Sequence, residues 1–402
     1  MSDTNSSEPE HDLESDAPPA YSVLPQSQHE VSETSWVDTS HEFTYNLEAL
    51  KEDLLSKHGL HWDKDLQKAE AKIPANRSNL IPPFYVQVFE AGAGATGDVW
   101  LCLPRSFAVA AMHANDNKSP FTYKELEANL VAVKVSQGYY QVGPALNEAK
   151  VLQELSKRIE TADTETIPRF ALPQAHSTAG FDDKDRTLSP FWLALRAVQP
   201  ALPLGDIFDL HVTDVGDDIF QILVLHSFCE IMDSLSFLHK FSILHNDVHG
   251  YNVLLEPTDE LPGVCLIDFG LSKSVPRGSS KDGFKEPDYL QLRDTFKFGC
   301  QRAHNLYVPL KDELPGWSEF IELINDDWGD SFEELLKSAL PVARTAIRSI
   351  TSQKRTEVAQ RLREFCEQTD RELSVCFGQL GLFSSSADDV VTEGVEPDSQ
   401  TP

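Results

Sequence analysis

Polar residues able to take part in chemistry are concentrated in the stretch SILHNDVHGYNVLL, residues 242–255. It places His245, Asp247, His249 and Asn252 between apolar flanks, a density of polar groups that packing alone does not explain. Five residues from Asp247 to Asn252 allow one loop to point a carboxylate and an amide into the same cleft. The spacing of the two histidines would also permit a metal site, but the interval is loop-like and no third soft ligand is near.

A glycine-rich stretch, EAGAGATGDVW, places Gly92, Gly94, Gly97 and Val99 in a G-x-G-x-x-G-x-V pattern between two predicted strands. Such glycines let the backbone approach a polyphosphate, and the valine can cover a flat base. A dinucleotide-binding fold would continue from this loop into a helix, whereas DVWLCL continues as a strand. A glycine-rich hairpin is also a common structural turn, so the pattern alone leaves both roles open.

Lys134 lies inside the apolar strand LVAVKVS. A buried ammonium needs an anionic partner, and Glu148 on the following predicted helix has the right charge and sequence position. The alternative is an edge-strand lysine that points to solvent.

Further motifs, taken in chain order, give the sequence a resemblance to the protein-kinase superfamily over about residues 84–380. His245, Asp247 and Asn252 fit the catalytic-loop pattern H-x-D-x-x-x-x-N. Downstream, IDFG supplies a D-F-G motif that begins at Asp268. RDTFKFG, which contains Asp294, resembles the D-x-x-x-x-G start of the central helix in the larger kinase lobe.

The resemblance implies ATP and Mg²⁺ as cofactors and a role for each matching residue. Lys134, oriented by Glu148, would hold the α- and β-phosphates. Asn252 and Asp268 would bind Mg²⁺ through hard oxygen ligands, and Asp247 would accept or orient the proton of the attacking hydroxyl. The nucleotide-binding set that the resemblance implies is Gly92, Gly94, Gly97, Val99 and Lys134.

The two histidines differ in what the resemblance implies. His245 would be a framework residue that packs near Phe269. His249 stands where typical Ser/Thr kinases carry a lysine that helps neutralise the γ-phosphate, and it resembles the H-x-D-x-H-x-x-N loop of aminoglycoside- and choline-kinase-like phosphotransferases. A protonated His249 could donate to the phosphate; a histidine bonded to Asp247 or to backbone is the alternative.

The segment after the D-F-G motif departs from typical protein kinases. Asn246 replaces the arginine that usually precedes the catalytic aspartate, so we expect that activation-loop phosphorylation does not switch this protein by that route. Only 23 residues separate Gly270 from Asp294, and KEPDY at 285–289 is at most a remnant of A-P-E. A short segment after IDFG is also similar to RIO-type kinases.

The element order, strands first and helices second, predicts an α+β, bilobal protein kinase-like fold with a small antiparallel β-sheet lobe with one helix and a larger helical lobe. We expect one helix over residues 45–71, with Leu47, Leu50, Leu54 and Leu55 on one face, and a polar insertion over residues 106–128. The predicted divisions are a disordered acidic tail (1–44), a helical extension (45–75), a kinase N-lobe (76–200), a kinase C-lobe (201–383) and a second disordered acidic tail (384–402).

The charge and cysteine content of the chain limit the kinds of partner and environment that we expect for it. The formal net charge of −30 argues against binding to a phosphate backbone, and acidic residues are concentrated at the two ends. Six cysteines without CxxC pairing are typical of reduced core thiols. We expect no nucleic-acid partner, no membrane span and no secretory signal. A cytoplasmic or nuclear location follows as an expectation.

An ATP-dependent phosphotransferase, most simply an atypical protein serine/threonine kinase, is the favoured function because every expected catalytic side chain except the loop lysine is present. Two alternatives remain. His249 and the missing A-P-E favour a small-molecule phosphotransferase, and a third possibility is an ATP-binding pseudokinase scaffold. The partner would be a protein or small-molecule phospho-acceptor whose identity, like the oligomeric state, cannot be read from the sequence.

Overall fold

The computed structural model describes residues 46–137, 139–162, 167–177, 191–210, 212–275, 286–303, 314–325 and 337–383. All of them fall within one unit, residues 37–402. The predicted disordered tails, residues 1–44 and 384–402, lie outside the described residues.

The secondary structure of the described chain is numbered in chain order. The strands are β1 (Tyr85–Gly94), β2 (Gly97–Pro104), β3 (Val131–Ser136), β4 (Arg169–Phe170), β5 (Pro173–His176), β6 (Phe191–Arg196), β7 (Leu202–Pro203), β8 (Ile243–Leu244), β9 (Val253–Glu256), β10 (Gly263–Leu266) and β11 (Lys273–Ser274). The helices are α1 (Leu47–His58), α2 (Lys64–Lys72), α3 (Arg105–Asp116), α4 (Tyr123–Ala128), α5 (Tyr139–Glu160), α6 (Leu204–Asp209), α7 (Val212–Val215), α8 (Asp217–Lys240), α9 (Glu286–Ala303), α10 (Trp317–Asn325), α11 (Ala339–Arg348) and α12 (Ser352–Gln379), with a 3-10 turn at Gly250–Asn252.

A five-stranded antiparallel sheet in the order β1-β2-β3-β6-β5 forms the small lobe. Val131, Val133 and Val135 alternate along β3 and pack into an apolar cluster with Trp192 of β6. α5 packs against β3, β5 and β6 and is the predicted helix of this lobe. The predicted α+β, bilobal kinase-like fold is therefore confirmed, and α1 to α4 add further helices to the small lobe.

The prediction of a polar insertion over residues 106–128 is wrong. α3 begins directly after β2, and seven consecutive residues, 106–112, are buried. α1 and α2 cover α3, and Asn115 Nδ2 donates to Gly381 O at 2.9 Å. The sequence SFAVAAM has small and apolar side chains that can be buried on every side of a helix. The polar residues that suggested a loop lie only at the end of α3 and beyond it.

The predicted single helix over residues 45–71 is two helices. α1 ends at Gly59, whose φ of 66° is left-handed and stops the helix. α2 begins after Asp63, whose side chain caps its first turn. Leu50 and Leu54 are buried as predicted, whereas the neighbouring leucines at 47 and 55 are exposed.

The helical lobe is organised around α8, which is apolar on nearly all sides. The helix contacts α9, α11 and β10, and 78% of its most apolar 18-residue window is buried inside the protein. Among the described residues, α8 is the one helix with the length and composition to cross a membrane, and its burial in the core accounts for that composition.

α12, with 28 residues, contacts both lobes. Val358 and Leu362 in its first half belong to the large apolar cluster built around α8, which also includes side chains of α5 and β6. Leu373 and Phe377 in its second half belong to the apolar cluster of the small lobe, together with residues of α1 and α3. One continuous helix therefore connects the two cores.

Candidate nucleotide and phosphoryl-transfer site

Lys134 is the centre of a buried charge cluster between β3, α5 and the loop after β10. Its Nζ donates to Glu148 Oε2 at 2.7 Å and to Asp268 Oδ1 at 2.9 Å. Lys134 and Glu148 are 4% and 1% exposed. The predicted contact is confirmed, and the edge-strand alternative is wrong because β3 lies between β2 and β6.

The charges of this cluster favour one more cation. Burial alone lowers the pKa of Lys134, but Glu148 and Asp268 outweigh burial and raise it above its ordinary value. Burial alone raises the pKa of Asp268; Lys134, the Gly270 N–H and the Thr96 hydroxyl reverse that effect and lower it. Two carboxylates thus surround one ammonium, and the Asp268 side chain keeps 26% exposure. This partly exposed excess of negative charge suits a divalent cation.

The glycine-rich stretch forms the β1–β2 hairpin, with Gly94 paired to Gly97. Gly97 has φ of 139°, and an added Cβ would lie 2.3 Å from Val135 O, so only glycine fits there. An added Cβ on Gly92 would meet nothing within 4 Å. At the tip of the hairpin, the Thr96 hydroxyl donates to Asp268 Oδ2 at 3.3 Å. The hairpin therefore lies against the charge cluster and leaves open space beside its first glycine.

Val99 is the fourth residue of the glycine pattern. It pairs with Lys134 across β2 and β3. The β2–β3 register therefore places the valine beside the lysine of the charge cluster.

Asp247 and Asn252 are in direct contact. Asn252 Nδ2 donates to Asp247 Oδ2 at 3.0 Å and to Asp247 O at 2.9 Å, across the 3-10 turn. Asn252 O in turn accepts from Ile267 N at 2.9 Å, one residue before Asp268. The structure thus joins the catalytic-loop motif and the D-F-G motif through neighbouring backbone.

The histidines of this loop differ as predicted. His245 is fully buried, its Nε2 lies 3.0 Å from Ile267 O, and its ring centroid lies 4.8 Å from that of Phe269. Burial lowers the pKa of His245, which favours the neutral framework role. The side chain of His249 is 46% exposed, and its Nε2 lies 3.6 Å from Asp247 Oδ2, too far for a hydrogen bond. His249 therefore faces open space beside Asp247.

Asp288, which the sequence analysis did not single out, organises the backbone of the catalytic loop. Its carboxylate is buried and accepts from His245 N at 3.0 Å, from Asn246 N at 2.7 Å and from His239 Nε2 at 2.8 Å. Burial alone raises the pKa of Asp288, but these three donors lower it. Asn246 has φ of 60°, an uncommon conformation for a residue other than glycine. The hydrogen bonds to Asp288 hold Asn246 in this conformation.

The predicted position of Asp294 at the start of the central helix is wrong. α9 begins at Glu286, and Asp294 lies in its middle, with a 47% exposed side chain paired to Arg293. Asp288 is in the first turn, within the KEPDY sequence that resembled a remnant of A-P-E. An aspartate in the first turn of α9 was the available signal, whereas the D-x-x-x-x-G spacing selected Asp294.

Comparisons with known proteins give local sequence similarity. No protein-family model matches the chain. Mitogen-activated protein kinase kinase kinase A of Dictyostelium discoideum is 31% identical over 107 residues, which is 23% of this chain and 10% of that protein. Mitogen-activated protein kinase kinase kinase 3 of Arabidopsis thaliana is 27% identical over 104 residues, 23% of this chain and 16% of that protein. The chain thus spans less than a fifth of the length of these curated relatives.

A solved structure, the kinase domain of PknI from Mycobacterium tuberculosis as a C20A_R136N double mutant, is similar with a TM-score of 0.37 and 18% identity, over 66% of this chain and 95% of that chain. The architecture described above and the local sequence matches confirm the predicted resemblance to the protein kinase-like superfamily.

Proposed function

We propose that this protein is an ATP-dependent phosphotransferase of the protein kinase-like type, with serine or threonine hydroxyls of proteins as acceptors. One observation carries the proposal: Lys134 contacts Glu148 and Asp268, while Asp247 and Asn252 contact each other on the adjacent loop. Phosphoryl transfer depends mainly on positioning and on neutralising charge, and these are the groups that both tasks require.

The residues present fit Mg²⁺ and ATP. Asn252 and Asp268 would hold the metal, and Lys134 and the hairpin around Gly92 would hold the phosphates. The described residues include no group of three or more His, Cys, Asp or Glu side chains suited to a metal. Phosphate oxygens would therefore complete the coordination, as is usual for Mg²⁺. When bound, Mg²⁺–ATP supplies the transferable phosphoryl group and neutralises its charge.

The acceptor side of the site belongs to Asp247 and His249. Asp247 is partly exposed and its Oδ2 accepts from Asn252, which fixes the carboxylate. In this position we propose that it orients the acceptor hydroxyl and takes its proton. We propose that His249 donates a hydrogen bond to the transferring group. Both residues border an open groove of about 410 Å³ that continues along α6 and α9.

A small-molecule phosphotransferase is the second candidate, and His249 in the loop favours it. The open groove favours the protein acceptor instead, because small ligands are usually enclosed by their pockets. We also propose an intracellular setting, cytoplasmic or nuclear, which the six free cysteines support. The net charge of −30 supports the proposal that nucleic acid is not a partner.

The proposed function is tested with the purified full chain and three alanine variants. Wild type should transfer the γ-phosphate of ATP to proteins of a cell extract. Asp247→Ala should abolish transfer and keep ATP-dependent thermal stabilisation, whereas Asp268→Ala should remove the Mg²⁺ dependence of that stabilisation. The control is Asp259→Ala, which removes an exposed aspartate that pairs with Arg363 of α12.

Each result distinguishes the candidate functions. Undiminished transfer by Asp247→Ala would overturn its assigned role. Transfer restricted to small alcohols would favour the second candidate. ATP binding with no transfer to any acceptor would identify a pseudokinase scaffold.

A further inference from the structure

Asn147 lies beside Glu148 on α5, and its side chain contacts the backbone that follows β10. Its Nδ2 lies 2.8 Å from Ser272 O and 3.1 Å from Gly270 O, with Phe269 O at 3.5 Å. A single amide group thus contacts carbonyls on both sides of the turn after the D-F-G motif. Hydrogen bonds of this length restrain the backbone they join.

The same turns of α5 restrain the segment in two further ways. Glu148 Oε1 accepts from Phe269 N at 3.2 Å, while the other carboxylate oxygen accepts from Lys134. Pro144 Cβ would lie 3.4 Å from a Cβ added to Gly270, so helix and segment are in close contact there. A shift of the segment away from α5 would therefore also disturb the Lys134–Glu148 pair.

We propose that Asn147 is a positioning residue that couples α5 to the Asp268 segment, defined as residues 268–275. The coupling holds Asp268 where it can serve a Mg²⁺-bound nucleotide, and in that respect it rests on the proposed function. Asp268 has φ of 59°, a conformation that a residue other than glycine keeps only when its surroundings impose it. The hydrogen bonds from Asn147 to the residues that follow supply part of that restraint.

This coupling has a consequence for regulation of the site. An amide donor is present as soon as the chain folds, so the contact between α5 and the Asp268 segment needs no added phosphate. Protein treated with a phosphatase should therefore keep its affinity for Mg²⁺–ATP. A large loss of affinity after that treatment would contradict this consequence.

Hydrogen exchange of the nucleotide-free protein tests the coupling directly. Asn147→Ala should raise deuterium uptake in peptides that cover residues 268–275. Lys150→Ala, an exposed position on the same helix, is the matched control and should leave that uptake unchanged. Equal uptake in wild type and Asn147→Ala would overturn the proposal, whatever the protein does with ATP.

Titration with ATP, with and without Mg²⁺, tests the link to the nucleotide site. Asn147→Ala should weaken binding of Mg²⁺–ATP about tenfold, as expected from one or two lost hydrogen bonds, and should leave Mg²⁺-free binding nearly unchanged. Asn147→Gln, which keeps the amide, should restore part of the affinity.

The outcomes separate the two proposals. No Mg²⁺-dependent binding by wild type would sink the proposed function, while the exchange experiment still decides the coupling. Normal Mg²⁺–ATP affinity in Asn147→Ala, even with a lower unfolding temperature, would reduce Asn147 to a structural residue and overturn the inference.

Discussion

The Lys134 ammonium and the Glu148 carboxylate form an ion pair 2.7 Å long that is almost entirely buried. Removal of one partner from such a pair leaves the other without compensation in a medium that solvates charge poorly. Replacement of both partners by apolar residues is far less costly. Variants of the pair therefore offer a way to separate its effect on stability from its proposed role in nucleotide binding.

Lys134→Met should lower the free energy of unfolding by about 3 kcal/mol, because Glu148 and Asp268 lose their counter-charge. The double variant Lys134→Met/Glu148→Leu should regain part of that stability, because only the partly exposed Asp268 then lacks a counter-charge, and it should still fail to bind ATP. Urea denaturation measures the first effect, and nucleotide titration measures the second. ATP affinity equal to wild type in the double variant would contradict the assigned role of Lys134.

Asp288→Asn should destabilise the protein by about 2 kcal/mol, since a neutral amide cannot accept from His239, His245 and Asn246 as the carboxylate does. Asp294→Asn is the matched control on the same helix, and its exposed pair with Arg293 should contribute about 0.5 kcal/mol or less. Urea denaturation of the two variants compares them directly. Equal losses of stability in the two variants would contradict the structural role assigned to the buried Asp288 carboxylate.

Gly97→Ala should destabilise the small lobe by more than about 2 kcal/mol, because the added Cβ would collide with Val135 O and the residue has positive φ. Gly92→Ala should leave stability within about 0.5 kcal/mol, since open space surrounds that position. Thermal unfolding of both variants without nucleotide measures the difference. An unchanged unfolding temperature of Gly97→Ala would contradict the positive φ and the close approach to Val135 O described for Gly97.

Glu127 gives a pH dependence of stability with a definite sign. Burial, assisted by Asp370, raises its pKa from 4.5 to about 7. Folding therefore favours the protonated form of Glu127. The contribution of this carboxyl to the free energy of unfolding is complete below about pH 4.5 and is lost as the pH rises through about 7. Because water keeps partial access to this carboxyl, we expect the loss to be on the order of 1 kcal/mol.

Glu127→Gln should remove this loss, so that the variant is more stable than wild type at pH 8. The measurement is urea denaturation at pH 5 and pH 8. Glu322→Gln, an exposed glutamate of α10, is the control and should keep the wild-type difference. A wild-type difference that persists in Glu127→Gln would assign the pH effect to another group.

The sequence predicted the parts of the site that depend on local pattern. The strand around Lys134, the helix around Glu148 and the loop from Asp247 to Asn252 each have a strong periodicity or a fixed spacing. Asp288 escaped prediction because its importance comes from contacts with backbone more than forty residues away. No spacing within α9 distinguishes it from an exposed aspartate on the same helix.

The helical layer of the small lobe also depends on distant contacts. α3 is buried because α1, α2 and the end of α12 cover it. From the sequence, its alanines and the polar residues beyond it were compatible with a surface insertion. Only the fold shows which neighbouring helices are available to cover α3.

α12 restricts the lobe movements that could accompany the nucleotide binding proposed above. Since its two halves are anchored in different cores, the lobes cannot separate freely at that side of the molecule. We expect opening and closing to occur as a hinge rotation with this helix near the pivot, so that the entrance to the cleft moves far more than its rear wall.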